Sequence, residues 1–134
     1  MRNATANLAG ALIVNNGGTL IMPAAIQVAL GTGASGTAIF TLNSGATLQT
    51  ANVNGVYGAS ASISNNANLT STFSTGANYI FSGSAAQNTG FKNLASSTVN
   101  NLTISNTSTG VTINSPSTIV TVNGTLNFTA GKLI

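Results

Sequence analysis

The sequence has no aspartate, glutamate, histidine, cysteine or tryptophan among its 134 residues, and each absence removes a class of function. Without carboxylate side chains, paired-acid glycoside hydrolysis is impossible. Calcium and magnesium sites lose their usual ligands, and with them goes the calcium-binding β-roll. Without His or Cys there is no tight transition-metal site and no disulfide, and cysteine usage leaves the redox compartment open. A Ser or Thr nucleophile needs a neighbouring base, and only Lys92 and Lys132 are candidates. Both are expected on exposed turns, so no catalysis, cofactor or metal is expected.

Charge is almost as scarce. Charged residues make up 2% of the chain, against about a quarter of an ordinary protein. The net charge of +3 comes from Arg2, Lys92 and Lys132, which are scattered, so the pI near 10.0 reflects missing acids rather than a basic surface. Nucleic-acid binding needs clustered cations to neutralise phosphates and is not expected.

The 43% apolar content separates the chain from disordered sequences and predicts a buried core. The length suits one structural unit. The longest apolar candidate, "TLIMPAAIQVAL" at residues 19–30, is broken by Pro23 and Gln27 and falls short of the roughly 20 residues of a bilayer crossing, so no membrane insertion is expected. The opening "MRNATANLAGALIV" carries one positive charge and a brief apolar run interrupted by Asn3 and Asn7, with no convincing cleavage site after it. The expectation is an excerpt of a longer secreted chain, with residues 1–134 forming a single repeat region.

What the sequence does contain is a rhythm. Apolar residues recur two apart at Leu102/Ile104, Val111/Ile113, Val120/Val122 and Leu126/Phe128, which is the strand period. "SNTSTG", "NSPST" and "NG" separate them; Gly and Asn tolerate positive φ, and Pro116 fixes its own. The pattern also runs through "ALIVNNGGTLIMP", "TAIFTLNSGATLQT" and "ANYIFSGSAAQ", and no window shows a helical stripe.

Short strands with frequent turns fit an antiparallel β-sandwich, an antiparallel barrel or a parallel β-helix. Turns of mixed length favour the last, with the hairpin-type "NG" at Asn54-Gly55 and Asn123-Gly124 as the exceptions. So do small residues where coil corners stack, and the repeated "GTL" or "ATL" openings ending in Leu20, Leu48 and Leu126. The expected fold is all-β: a right-handed parallel β-helix (β-solenoid) segment, with the antiparallel β-sandwich as alternative. At roughly 20 residues per coil it makes about six coils, rising about 30 Å at about 4.8 Å per layer. Stacking also explains the missing acids, because repeated carboxylates would repel one another along the axis, whereas Thr, Asn and Ser ladders hydrogen-bond. The expected interior is Ile39, Leu42, Leu48, Ile80, Leu102, Ile104, Val111, Ile113, Val122, Leu126 and Phe128, with Phe40 and Phe81 also packed at strand positions.

Three segments carry a resemblance: "GTAIFTLNSGATLQTANVNG" at residues 36–55, "TGANYIFSGSAAQNTG" at 75–90, and "STVNNLTISNTSTGVTINSPSTIVTVNGTLNFTAGKL" at 97–133. In this order they resemble the tandem β-repeat regions of very large surface proteins of Bacteroidota-type bacteria, adhesin-like and exported by the type IX system. The resemblance spans residues 17–134. It implies a secreted β-helical stalk or filament at the cell surface, and it carries no catalytic residues to transfer.

Among candidate sites, "GTGASG" at residues 31–36 is read as a loop, because no "GK[ST]" follows it. Sequons such as Asn101-Leu102-Thr103 are attributed to composition. Tyr57 and Tyr79 are the aromatics expected at the surface, where they would contact sugars. The leading expectation is a structural stalk or filament segment whose partners are neighbouring coils of the same chain or like chains end to end. The alternatives are a direct glycan- or surface-binding adhesive module and a self-assembling extracellular fibre subunit.

Overall fold

The computed structural model describes residues 10–31, 37–114 and 119–134; Arg2, Pro116 and residues 32–36 of the glycine-rich loop lie outside them. Five successive coils carry the strands. The first holds β1 (Ala11–Val14) and β2 (Thr19–Met22), and the second β3 (Ala38–Leu42) and β4 (Thr47–Thr50). The third holds β5 (Leu69–Phe73), β6 (Asn78–Phe81) and β7 (Gln87–Asn88), followed by a 3-10 turn at Phe91–Asn93. β8 (Thr98–Val99), β9 (Leu102–Ser105) and β10 (Val111–Thr112) form the fourth, and β11 (Thr121–Val122) and β12 (Leu126–Ala130) the fifth.

Every strand pairing among the described residues is parallel, with β12-β9-β6-β4-β2 as the longest sheet, β1-β3-β5 as a second, and β10-β7 and β11-β8 as two further pairs, β8 leading into the long sheet and β10 following it. Parallel neighbours cannot be joined by a tight hairpin and need a crossover, which here is the rest of each coil. The fold is therefore the β-solenoid and not the sandwich. Neither "NG" makes a hairpin. Asn123-Gly124 turns the corner between β11 and β12, which belong to different sheets, and the Gly124 N–H bonds the Asn100 carbonyl of the coil below at 2.7 Å.

The register fixes the coil count. Leu20 pairs with Leu48, Leu48 with Tyr79, Tyr79 with Leu102 and Leu102 with Leu126, returns of 28, 31, 23 and 24 residues. Five rungs are thus joined by about four turns rather than six coils, and at about 4.8 Å per layer they rise roughly 19 Å. The coils are longer than expected because they carry excursions such as residues 51–64, which hold no extended strand.

One turn recurs at the corner leading into the long sheet. The N–H of Gly18 bonds Asn15, that of Ala46 bonds Asn43 and that of Ala77 bonds Ser74, all through backbone carbonyls at 2.8–3.1 Å. Gly17 and Gly45 occupy its third position with φ of 77° and 75°, where a side chain would be strained. Polar ladders climb beside these corners. Asn43 Nδ2 donates to Asn15 Oδ1 at 3.0 Å, Asn101 Nδ2 to Asn78 Oδ1 at 2.8 Å, and Gln49 Nε2 to Ser82 Oγ at 3.1 Å. Neutral amides and hydroxyls both donate and accept, so the stack has no like-charge repulsion to offset.

Two apolar columns run up the interior of the long sheet: Leu20–Leu48–Tyr79–Leu102–Leu126, and Met22–Thr50–Phe81–Ile104–Phe128. The shared "TL" openings do return to one register. Thr50 interrupts the second column fully buried, its hydroxyl 2.6 Å from Ser62 Oγ. Ala38, Phe40 and Leu42 face inward on β3, so Ile39 between them points out and is 45% exposed. Ile80 likewise lies between the buried Tyr79 and Phe81 and shares an outward row with Gln49 and Thr103. Both were expected inside, but neighbours along a strand cannot share a face. Ile113 and Val122 are only half-buried. Leu126 and Phe128 stand over Leu102 and Ile104 on the edge strand of the sheet among the described residues, and they are 44% and 49% exposed.

Candidate functional site: the Tyr57 groove

Of the two tyrosines expected at the surface, the structure places one in a groove and the other in the core. Tyr79 occupies the leucine position of the first column, fully packed, with its ring edge-on to Phe91 at 5.2 Å between centroids. Burial pushes its hydroxyl well above the ordinary value of 10.0, because the apolar surroundings disfavour the phenolate. The neutral phenol therefore stabilises the fold fully below about pH 10, and that contribution is lost as pH rises through the elevated folded-state value. In a Tyr57→Phe variant, the phenolate absorbance of Tyr79 should appear only together with loss of the β circular-dichroism signal. Phenolate formation in a still-folded chain would contradict this burial.

Tyr57 stands on the excursion that follows β4. Asn52 starts it by accepting the Asn54 N–H on its side-chain oxygen and the Gly55 N–H on its carbonyl, at 2.9 and 3.0 Å. Gly55 has φ of 81°, and a Cβ there would lie 2.3 Å from the Thr89 carbonyl oxygen, so only glycine lets the two backbones approach this closely. Val56 is fully buried and pins the segment, its N–H bonding the Thr89 carbonyl of the next coil and its carbonyl accepting the Ile63 N–H. From below, Gln27 Nε2 donates to the carbonyls of Ala59 and Ala61 at 2.9 and 2.8 Å. The Tyr57 ring packs on Phe73 at 5.1 Å, and Phe73 in turn packs on Phe40.

The opposite wall belongs to the 3-10 turn. Phe91 is fully buried and packs edge-on against both Tyr79 and Phe81, which leaves Lys92 exposed at the groove. Gly90, at φ of 70°, packs on the Tyr57 segment from the coil above, where a Cβ would lie 2.8 Å from the Asn54 carbonyl oxygen. Asn93 Nδ2 donates to the Tyr57 carbonyl at 2.8 Å, and the Lys92 N–H to the Asn114 carbonyl at 2.6 Å. The result is an open groove of about 350 Å³ lined by Tyr57, Lys92, Ser60, the asparagines at 54, 65, 88, 93 and 114, and small residues between them.

The lining combines five asparagines with Tyr57, Ser60 and Lys92. Lys132, the other candidate base, is exposed on the last coil. Neither a family model nor a curated protein nor a solved structure matches this chain. No helix among the described residues is long and apolar enough to cross a membrane. Sequence reasoning singled out Tyr57 and, as a candidate base, Lys92, but not the asparagines around them, because Asn54, Asn88 and Asn114 come from three different coils and converge only once the coil lengths are known.

Proposed function

We propose that the chain is a structural segment of a stalk or filament in a long, secreted, adhesin-like cell-surface protein, with no catalytic role. The observation that carries this reading is the in-register stacking of the coils: Leu20, Leu48, Tyr79, Leu102 and Leu126 follow one another in a single column of parallel strands, a geometry that coils of the same kind can repeat along one axis. The acid-free composition supports it, because each added rung can repeat the neutral ladders without stacking charge. The resemblance to tandem β-repeat regions of surface proteins exported by the type IX system supports the extracellular placement.

Electron microscopy of the native material, with the intact mass of its polypeptide, tests the proposal. A thin rod and a mass far above 13.2 kDa are expected. Compact particles of 13.2 kDa would sink the stalk reading.

A further inference from the structure

We infer that the Tyr57 groove is a saccharide-binding site, and that the sugar it takes carries a carboxylate. The groove has the size of a small-molecule site, at the lower end of the roughly 300–1,000 Å³ range, yet its lining is unlike the apolar walls such sites usually have. Amides dominate. Each offers two donors and an acceptor, a set that matches the closely spaced hydroxyls of a sugar ring and has little to offer an apolar ligand. The side-chain amides of Asn65, Asn88 and Asn114 have no hydrogen-bond partner among the described residues, so they are available to a ligand without breaking the fold. Tyr57 adds the aromatic surface on which the C–H face of a pyranose packs.

Lys92 sets the charge. Lys92 lines the groove with its side chain exposed, in a protein with no acidic side chain, so nothing of the chain's own side-chain chemistry neutralises its charge. A single point charge is far too little for a nucleic acid, which needs several phosphates neutralised at once. It is enough to favour one anionic group on an otherwise hydroxyl-bearing ligand. The site is also shaped in advance. Buried Phe91 anchors one wall, the Asn93 bond to Tyr57 ties it to the other, and the close backbone contacts at Gly55 and Gly90 hold the two coils together, so little ordering cost falls on binding.

The test is nuclear magnetic resonance titration of the ¹⁵N-labelled chain with a glucuronate-containing disaccharide, its carboxyl-reduced neutral counterpart, and inorganic sulfate. The uronate is expected to shift the side-chain amide signals of Asn54, Asn88 and Asn93, to bind more tightly than the neutral sugar, and to weaken with added salt. Lys92→Gln should weaken it by roughly tenfold, and Asn88→Ala by several-fold. Lys92 is exposed and Asn88 half-buried, so both variants should melt with the parent. The proposal is overturned if the uronate leaves those signals unmoved, if the neutral sugar binds equally well, if sulfate alone matches the uronate, or if neither substitution changes the affinity. The stalk reading is judged separately, on rod shape and mass.

Discussion

Ile104→Asp is expected to cost at least about 4 kcal/mol and to lower the melting temperature by more than about 10 °C. Ile104 is fully buried on β9, with Phe81 in register below and Phe128 above. Removing its branched side chain forfeits roughly 2–3 kcal/mol of apolar burial. The carboxyl that replaces it meets two rings and no donor positioned to receive it, and even the protonated form costs about 1–3 kcal/mol to bury unpaired. The loss should be largest at neutral pH and smaller below about pH 4, where the carboxyl is neutral in the unfolded chain as well. Ile80→Asp is the control. That side chain points outward between Gln49 and Thr103, so the same substitution should cost only about 1 kcal/mol, mostly as poor strand propensity. Thermal melts of the two variants decide the register. Equal melting temperatures, or a larger loss at Ile80, would mean that β6 and β9 present the opposite faces.

The pair also shows where sequence reading succeeds and where it stops. At Leu102-Thr103-Ile104 the alternation is clean, and period two alone assigns the inward face. At Ile39-Phe40 and Ile80-Phe81 two large apolar residues are adjacent, so the period gives no parity and only the column decides. The column was legible in the "TL" openings at Leu20, Leu48 and Leu126. Placing "ANY" at residues 77–79 on the "ATL" of 46–48 and the "GTL" of 18–20 puts Tyr79 at the leucine position and moves it from surface to core. The coil count was not legible, because residues 51–64 bury Val56, Ala61 and Ile63 without forming a long strand, and no alternation marks so irregular a stretch. The groove was half legible: Tyr57 was expected at the surface as a sugar-contacting aromatic, while Asn is so common in this chain that no single amide stands out.

Gln87→Leu is expected to destabilise the fold by about 3–4 kcal/mol even though it adds apolar surface to a buried position. Gln87 is 1% exposed and lies where three coils meet. Its Nε2 donates to the carbonyls of Thr50 and Asn52, both at 3.1 Å, and its Oε1 accepts from the Gly83 N–H and from Asn106 Nδ2, both at 2.8 Å. Asn106, itself fully buried, extends the network to the Ala85 carbonyl at 2.7 Å. Leucine fills a similar volume but leaves these groups without their partner, and each such group costs about 1–3 kcal/mol when water cannot replace the bond. Gln87→Glu separates lost bonds from lost shape. A carboxylate still accepts from Gly83 and Asn106 but faces the Thr50 and Asn52 carbonyls with no proton to donate, so its pKa in the folded state rises above the reference of about 4.3. The variant should then be most stable below about pH 4, where the protonated acid restores one donor, and lose stability as pH rises through the elevated folded-state value. Urea unfolding between acidic and neutral pH reads this directly. A Gln87→Glu stability that is flat with pH, or a Gln87→Leu variant as stable as the parent, would show that the amide network does not hold the coils together.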